Sequence, residues 1–116
     1  LAGSEMKSTY AEVTRDLEAL ANTEGDPIRS AARWKTLGTR VCLEAARSYI
    51  SDRVRRLATT ENGKINSKYF KELLSFFNVL NYAHSQTGAS IDETLLLEET
   101  LVRWSELHAK AIYTKR

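Results

Sequence analysis

Met6, Tyr10, Val13, Leu17 and Leu20 recur at intervals of four, three, four and three residues, the period of one apolar seam along an α-helix. The pattern predicts a first helix over 4–21, with Ser4 as its N-cap and Asn22-Thr23-Glu24-Gly25 as its stop. Asp26-Pro27 then pairs a capping carboxylate with a proline at the first helical position, the strongest helix start in the chain. Beyond it Ile28, Ala31, Cys42, Ala45, Ala46, Tyr49, Ile50 and Leu57 share a face, while Trp34, Leu37 and Val41 form a second apolar strip. These positions predict one long helix over 27–59, roughly 50 Å if straight. That is longer than its companions, so the helix must overhang or bend. Gly38-Thr39 is its weak point, because glycine costs about 1 kcal/mol in a helix interior.

Thr60-Glu61-Asn62-Gly63-Lys64 reads as a loop. Phe70, Leu73, Leu74, Phe77 and Leu80 then define a helix over 67–87, closed by Gly88. Ser90-Ile91-Asp92-Glu93 matches a capping box, in which Ser90 and Glu93 satisfy the first free amides of a helix over 91–113. Ile91, Leu95, Leu101, Val102, Trp104 and Ile112 are read as its inward positions. Short connections make successive helices antiparallel neighbours. The expected fold is therefore all-α, a single-domain antiparallel bundle of four helices over 1–116 with a long second helix.

Composition agrees with that reading. In 116 residues, 42% are hydrophobic and 28% charged, as in an ordinary soluble globule. One proline and five glycines are too few for a turn-rich sandwich or barrel. A chain of this length buries about two thirds of its unfolded surface, enough for a core without metals or cross-links. Cys42 is the single cysteine, so no internal disulfide forms. No apolar run approaches the roughly 20 residues of a membrane span, and no signal-peptide pattern opens the chain. The expectation is a cytoplasmic protein without cofactor.

Charge changes the picture more. The net value is only +2, yet residues 1–26 carry two cations against six carboxylates and residues 27–60 carry eight against two. Within the basic segment Arg29, Arg33, Arg40 and Arg47 fall within about 40° of one another on a continuous helix. Such a ridge could follow several phosphates, adding salt-dependent affinity without sequence preference. It has no interleaved aromatic residues for single-strand stacking, and no helix-turn-helix, RNP, KH or zinc pattern accompanies it. Glu5, Glu12 and Asp16 form a matching stripe on the first helix. Folding back at the turn sets Asp16 near Arg33, Glu12 near 35–40 and Glu5 near Arg47, so internal pairing or simple solvation is favoured over an anionic partner for the ridge.

His84 and His108 both fall on apolar faces, about 20 Å apart along the predicted hairpin, too far to share a zinc ion. Glu98 interrupts the last apolar arc near Asn81 and His84. These three residues are read as a candidate buried polar cluster, a structural network before an acid–base pair. Cys42 is read as a small hydrophobe, and no nucleophile, metal-ligand spacing or phosphate loop is present. The Phe76-Phe77 … Gly88-x-x-Ile91-Asp92-Glu93 … Trp104 run resembles an uncharacterised group of bacterial helical domains, a resemblance that implies a helical hairpin and no activity. The sequence thus points to a non-enzymatic helical protein–protein interaction or scaffolding domain that binds another protein or itself. The alternative is a small regulator gripping nucleic acid or another anion through Arg29, Arg33, Arg40 and Arg47.

Overall fold

The computed structural model describes the backbone of residues 2–60, 67–89 and 91–114, and the side chains of 7–59, 68–89 and 91–109. Among the described residues there are five helices and no strand: α1 (Ala2–Ala21), α2 (Pro27–Leu37), α3 (Thr39–Thr60), α4 (Ser67–Gln86) and α5 (Glu93–Thr114). The loop expected at 60–64 lies largely outside the described residues, as do the side chains of Ser4 and Glu5.

The all-α reading holds, and the helix count is corrected from four to five. A straight helix over 27–60 would measure about 50 Å, against a longest molecular dimension of 40 Å. The chain breaks at Gly38, whose φ of 122° and ψ of 110° few other residues tolerate. Gly38 N–H donates to Trp34 O at 2.9 Å, ending α2, and its carbonyl accepts from Cys42 N at 3.0 Å, starting α3. A Cβ here would have space, the nearest atom being Val41 Cγ2 at 3.9 Å. Gly38→Ala is therefore expected to destabilise through its backbone alone, by about 1–3 kcal/mol, measurable as a lower urea midpoint.

The other ends follow local chemistry. Asp26 caps α2, its carboxylate accepting from Ile28 N at 2.9 Å and Arg29 N at 3.5 Å. The α1 stop is a Schellman turn: Glu24 N–H donates to Ala19 O and Thr23 N–H to Leu20 O, with Thr23 at φ 60°. The start of α5 differs from the expected capping box. Ser90 lies outside the described residues, and Asp92 caps the helix by accepting from Leu95 N at 3.1 Å.

The break redistributes the packing. α2 lies chiefly against α5, and α3 against α4 and α1, while α4 and α5 touch each other less. One core joins Val13, Leu17 and Leu20 of α1 to residues from every other helix. Two fully buried tryptophans bind it to α1. Trp34 Nε1 donates to Asp16 Oδ2 at 2.9 Å, and Trp104 Nε1 donates to Leu17 O at 2.8 Å. Ile28, Leu74, Ile91 and Leu95, read from the sequence as inward, are exposed. In the Leu95-Leu96-Leu97 run the last two enter the core, and the first stays outside.

Candidate functional site

The arginine ridge does not survive the break as one line. Arg29 and Arg33 belong to α2, Arg40 and Arg47 to α3. Arg29 is exposed. Arg33 Nη2 donates to Asp16 Oδ1, the contact expected from the turn, and this bond raises the Arg33 pKa above its ordinary value. Arg40 reaches the end of α4, where Nε donates to Thr87 Oγ1 at 3.1 Å and Nη2 to Thr87 O at 3.2 Å. Arg47 is half-buried, its Nε without a hydrogen-bond partner among the described residues. Glu12 pairs with Arg15 of its own helix at 3.5 Å instead of reaching across.

The Asn81/His84/Glu98 grouping is not assembled either. His84 Nε2 lies 3.1 Å from Glu44 Oε2 of α3. Among the described residues no hydrogen bond joins it to Glu98 or Asn81, which are half-buried. The cause is the rotation of α5: its core face runs through Leu97, Leu101, Trp104 and His108, leaving Glu98 at that face's edge.

A polar cluster that the sequence reading overlooked sits deeper, around His108. Its Nδ1 lies 3.0 Å from Trp104 O and its Nε2 3.0 Å from Tyr69 Oη. With Nδ1 donating to the carbonyl, Nε2 is the acceptor for the Tyr69 hydroxyl. The ring meets Tyr69 and Trp104 edge-on. Beside them Arg53 Nη1 donates to Tyr49 Oη at 3.3 Å. The sequence reading set His108 on an apolar face without naming a partner for it. An i, i+4 histidine after a core tryptophan was the available signal.

Burial lowers the His108 pKa from 6.5, so the folded protein holds the neutral ring. Because the unfolded chain binds that proton more readily, stability is complete above about pH 6.5 and falls as the pH drops towards the lowered folded value. Urea unfolding between about pH 7 and pH 5 should show this decline. His108→Gln should flatten the slope, whatever its effect on absolute stability.

Cys42 is inert by its surroundings. Burial, with the Asp16 and Glu12 charges adding, pushes its thiol up to about 12, and Sγ donates to Trp34 O at 3.6 Å. No group of three His, Cys, Asp or Glu among the described residues is arranged to hold a metal ion, and no described helix is long and apolar enough to cross a membrane.

Among the described residues a groove runs between α4 and α5. Two open hollows of about 350 Å³ each meet at Ser75, Val79 and Arg103. Phe76, Ala83, Leu96 and Leu107 form the floor, and Tyr82 stands at one end, 63% exposed. Leu95, 51% exposed, lies on the Glu99 side of α5 by helical spacing. α5 packs more extensively on α2 than on α4.

The chain matches no protein-family model, no curated protein and no solved structure.

Proposed function

We propose that this chain is a non-enzymatic helical interaction domain that docks a helix of another protein on its α4/α5 face. The observation that carries the reading is the groove with the exposed Tyr82 in its lining, and Leu95, exposed one helical turn before the lining residue Glu99, extends that face by helical spacing. Apolar side chains flanking an inter-helical groove gain by covering one another when an amphipathic helix lies there. The arginine line weighs against the anionic-ligand alternative. Arg33 and Arg40 are engaged within the molecule, and Gly38 separates the two halves of the line.

The test is selection of a displayed library of randomised amphipathic helices against the protein. The selected helices are then measured on Tyr82→Glu/Leu95→Glu, with circular dichroism confirming its fold. Helices that bind the wild type and lose the double variant support the reading. Enrichment of none, or binding indifferent to the two substitutions, overturns it.

A further inference from the structure

We infer that the α4/α5 groove is specific for an amphipathic helix with basic flanks, carried by a partner protein. The inference rests on the α4/α5 face being the docking surface, and adds the chemistry of what docks there. Three carboxylates, Glu72, Glu99 and Glu106, line the two hollows against one guanidinium, Arg103. Arg103 sits four residues after Glu99 and three before Glu106, spacings that permit pairing along a helix. Yet among the described residues none of these four groups forms an ion pair within the molecule. Glu12, Asp16, Glu44 and Asp52 have a cationic or histidine neighbour, while other described carboxylates outside the groove, such as Glu18, Glu93 and Glu98, form no ion pair. What sets the groove apart is that three carboxylates line one apolar cleft beside a single cation. The groove thus combines an apolar floor with a rim of three carboxylates and one guanidinium, none of them in an ion pair among the described residues.

That pairing selects the occupant. A helix laying an i, i+3, i+4, i+7 strip on Phe76, Val79, Leu96 and Leu107 brings its flanking positions over the rim. Lysine or arginine there meets Glu72, Glu99 and Glu106, whereas acidic flanks meet like charge. Glu99 and Glu106 are two helical turns apart, about 10 Å, so flanking cations one heptad apart face both. A second copy of this chain fits poorly. Pairing groove to groove would set two acidic rims together. The other exposed large apolar side chains among the described residues, Ile28, Val41, Leu74 and Ile91, are distributed over three helices and a loop and supply no continuous strip.

The experiment uses three synthetic helices that share one leucine seam and differ only in flanks of lysine, glutamine or glutamate. Their affinities are read by fluorescence anisotropy at low and moderate salt. The lysine-flanked helix should bind about ten-fold more tightly than the glutamine-flanked one, as two or three exposed ion pairs would give, and the glutamate-flanked helix should bind weakest. Added salt should narrow the differences. Glu99→Lys/Glu106→Lys should reverse the order, and Glu99→Gln/Glu106→Gln should level it. Equal affinities, or an order unmoved by these variants, overturns the charge assignment while the docking face stands. If none of the three binds and library selection also yields no groove-dependent helix, the docking face itself falls. Concentration-dependent dimerisation in light scattering that Tyr82→Glu abolishes makes a second copy the occupant and overturns the inference.

Discussion

Replacing Trp104 with alanine is expected to remove about 3–5 kcal/mol of stability, a large part of the roughly 5–15 kcal/mol that holds a domain together. The indole is fully buried, packs on Phe76 with ring centroids 5.0 Å apart, and meets the His108 ring at 4.2 Å. Its N–H also fixes α5 to the Leu17 carbonyl of α1. Alanine removes all of this and leaves a cavity bounded by three helices. Trp104→Phe separates the causes: it restores most of the volume and none of the hydrogen bond, and should cost about 1–2 kcal/mol. Urea unfolding followed by far-ultraviolet circular dichroism measures both. If phenylalanine proves as damaging as alanine, the bond to Leu17, and not ring packing, is what joins α5 to α1.

The sequence made the helices legible and left their rotations uncertain, for a physical reason. Val13, Leu17, Leu20, Cys42, Ala46, Leu73, Leu80, Leu101 and Trp104 repeat with helical period, and all are buried. Their pattern needs no knowledge of the partner face. Leu95-Leu96-Leu97 carries no such information, because three consecutive leucines fit an apolar arc in several rotations. Choosing Leu95 as inward turned the apolar arc of α5 so that Glu98 read as an interruption of it, and hid the exposure of Leu95 itself. One misplaced leucine, together with the fold-back at the turn, thus suggested a cluster that no hydrogen bond joins among the described residues.

Gly38 shows a second limit. Its roughly 1 kcal/mol penalty within a helix marks a weak point, yet a kink and a complete break look alike in sequence. The outcome depends on what each half can bury. α2 finds α5, and α3 finds α4 and α1, so separating the halves gains contacts that a straight helix longer than the molecule would forfeit. The arginine ridge inherited that uncertainty. Its alignment depended on a helix continuous through Gly38.

The acidic stripe on α1 leads to the second large effect. Asp16→Ala should destabilise by about 2–4 kcal/mol, because the carboxylate serves unequal partners. Arg33 is 44% exposed in its side chain, whereas Trp34 is fully buried. After the substitution the guanidinium turns to water, but the indole N–H loses its acceptor inside the core. Arg33→Gln should accordingly cost no more than about 1 kcal/mol. Asp16→Asn keeps an acceptor for Trp34 and should fall between the two. Salt discriminates further. At 1 M the screening length is about 3 Å, so the exposed part of the Arg33 attraction fades while the buried Trp34 bond persists. Most of the Asp16→Ala loss should survive that salt in urea titrations. Equal losses for Asp16→Ala and Arg33→Gln would instead make the ion pair the dominant link between α1 and α2. Asp16 and Leu17, adjacent on α1, receive the N–H groups of Trp34 and Trp104 from the two helices that pack most extensively on each other. Loosening either tryptophan therefore unseats the α2–α5 pair from α1, and α5 carries one wall of the groove.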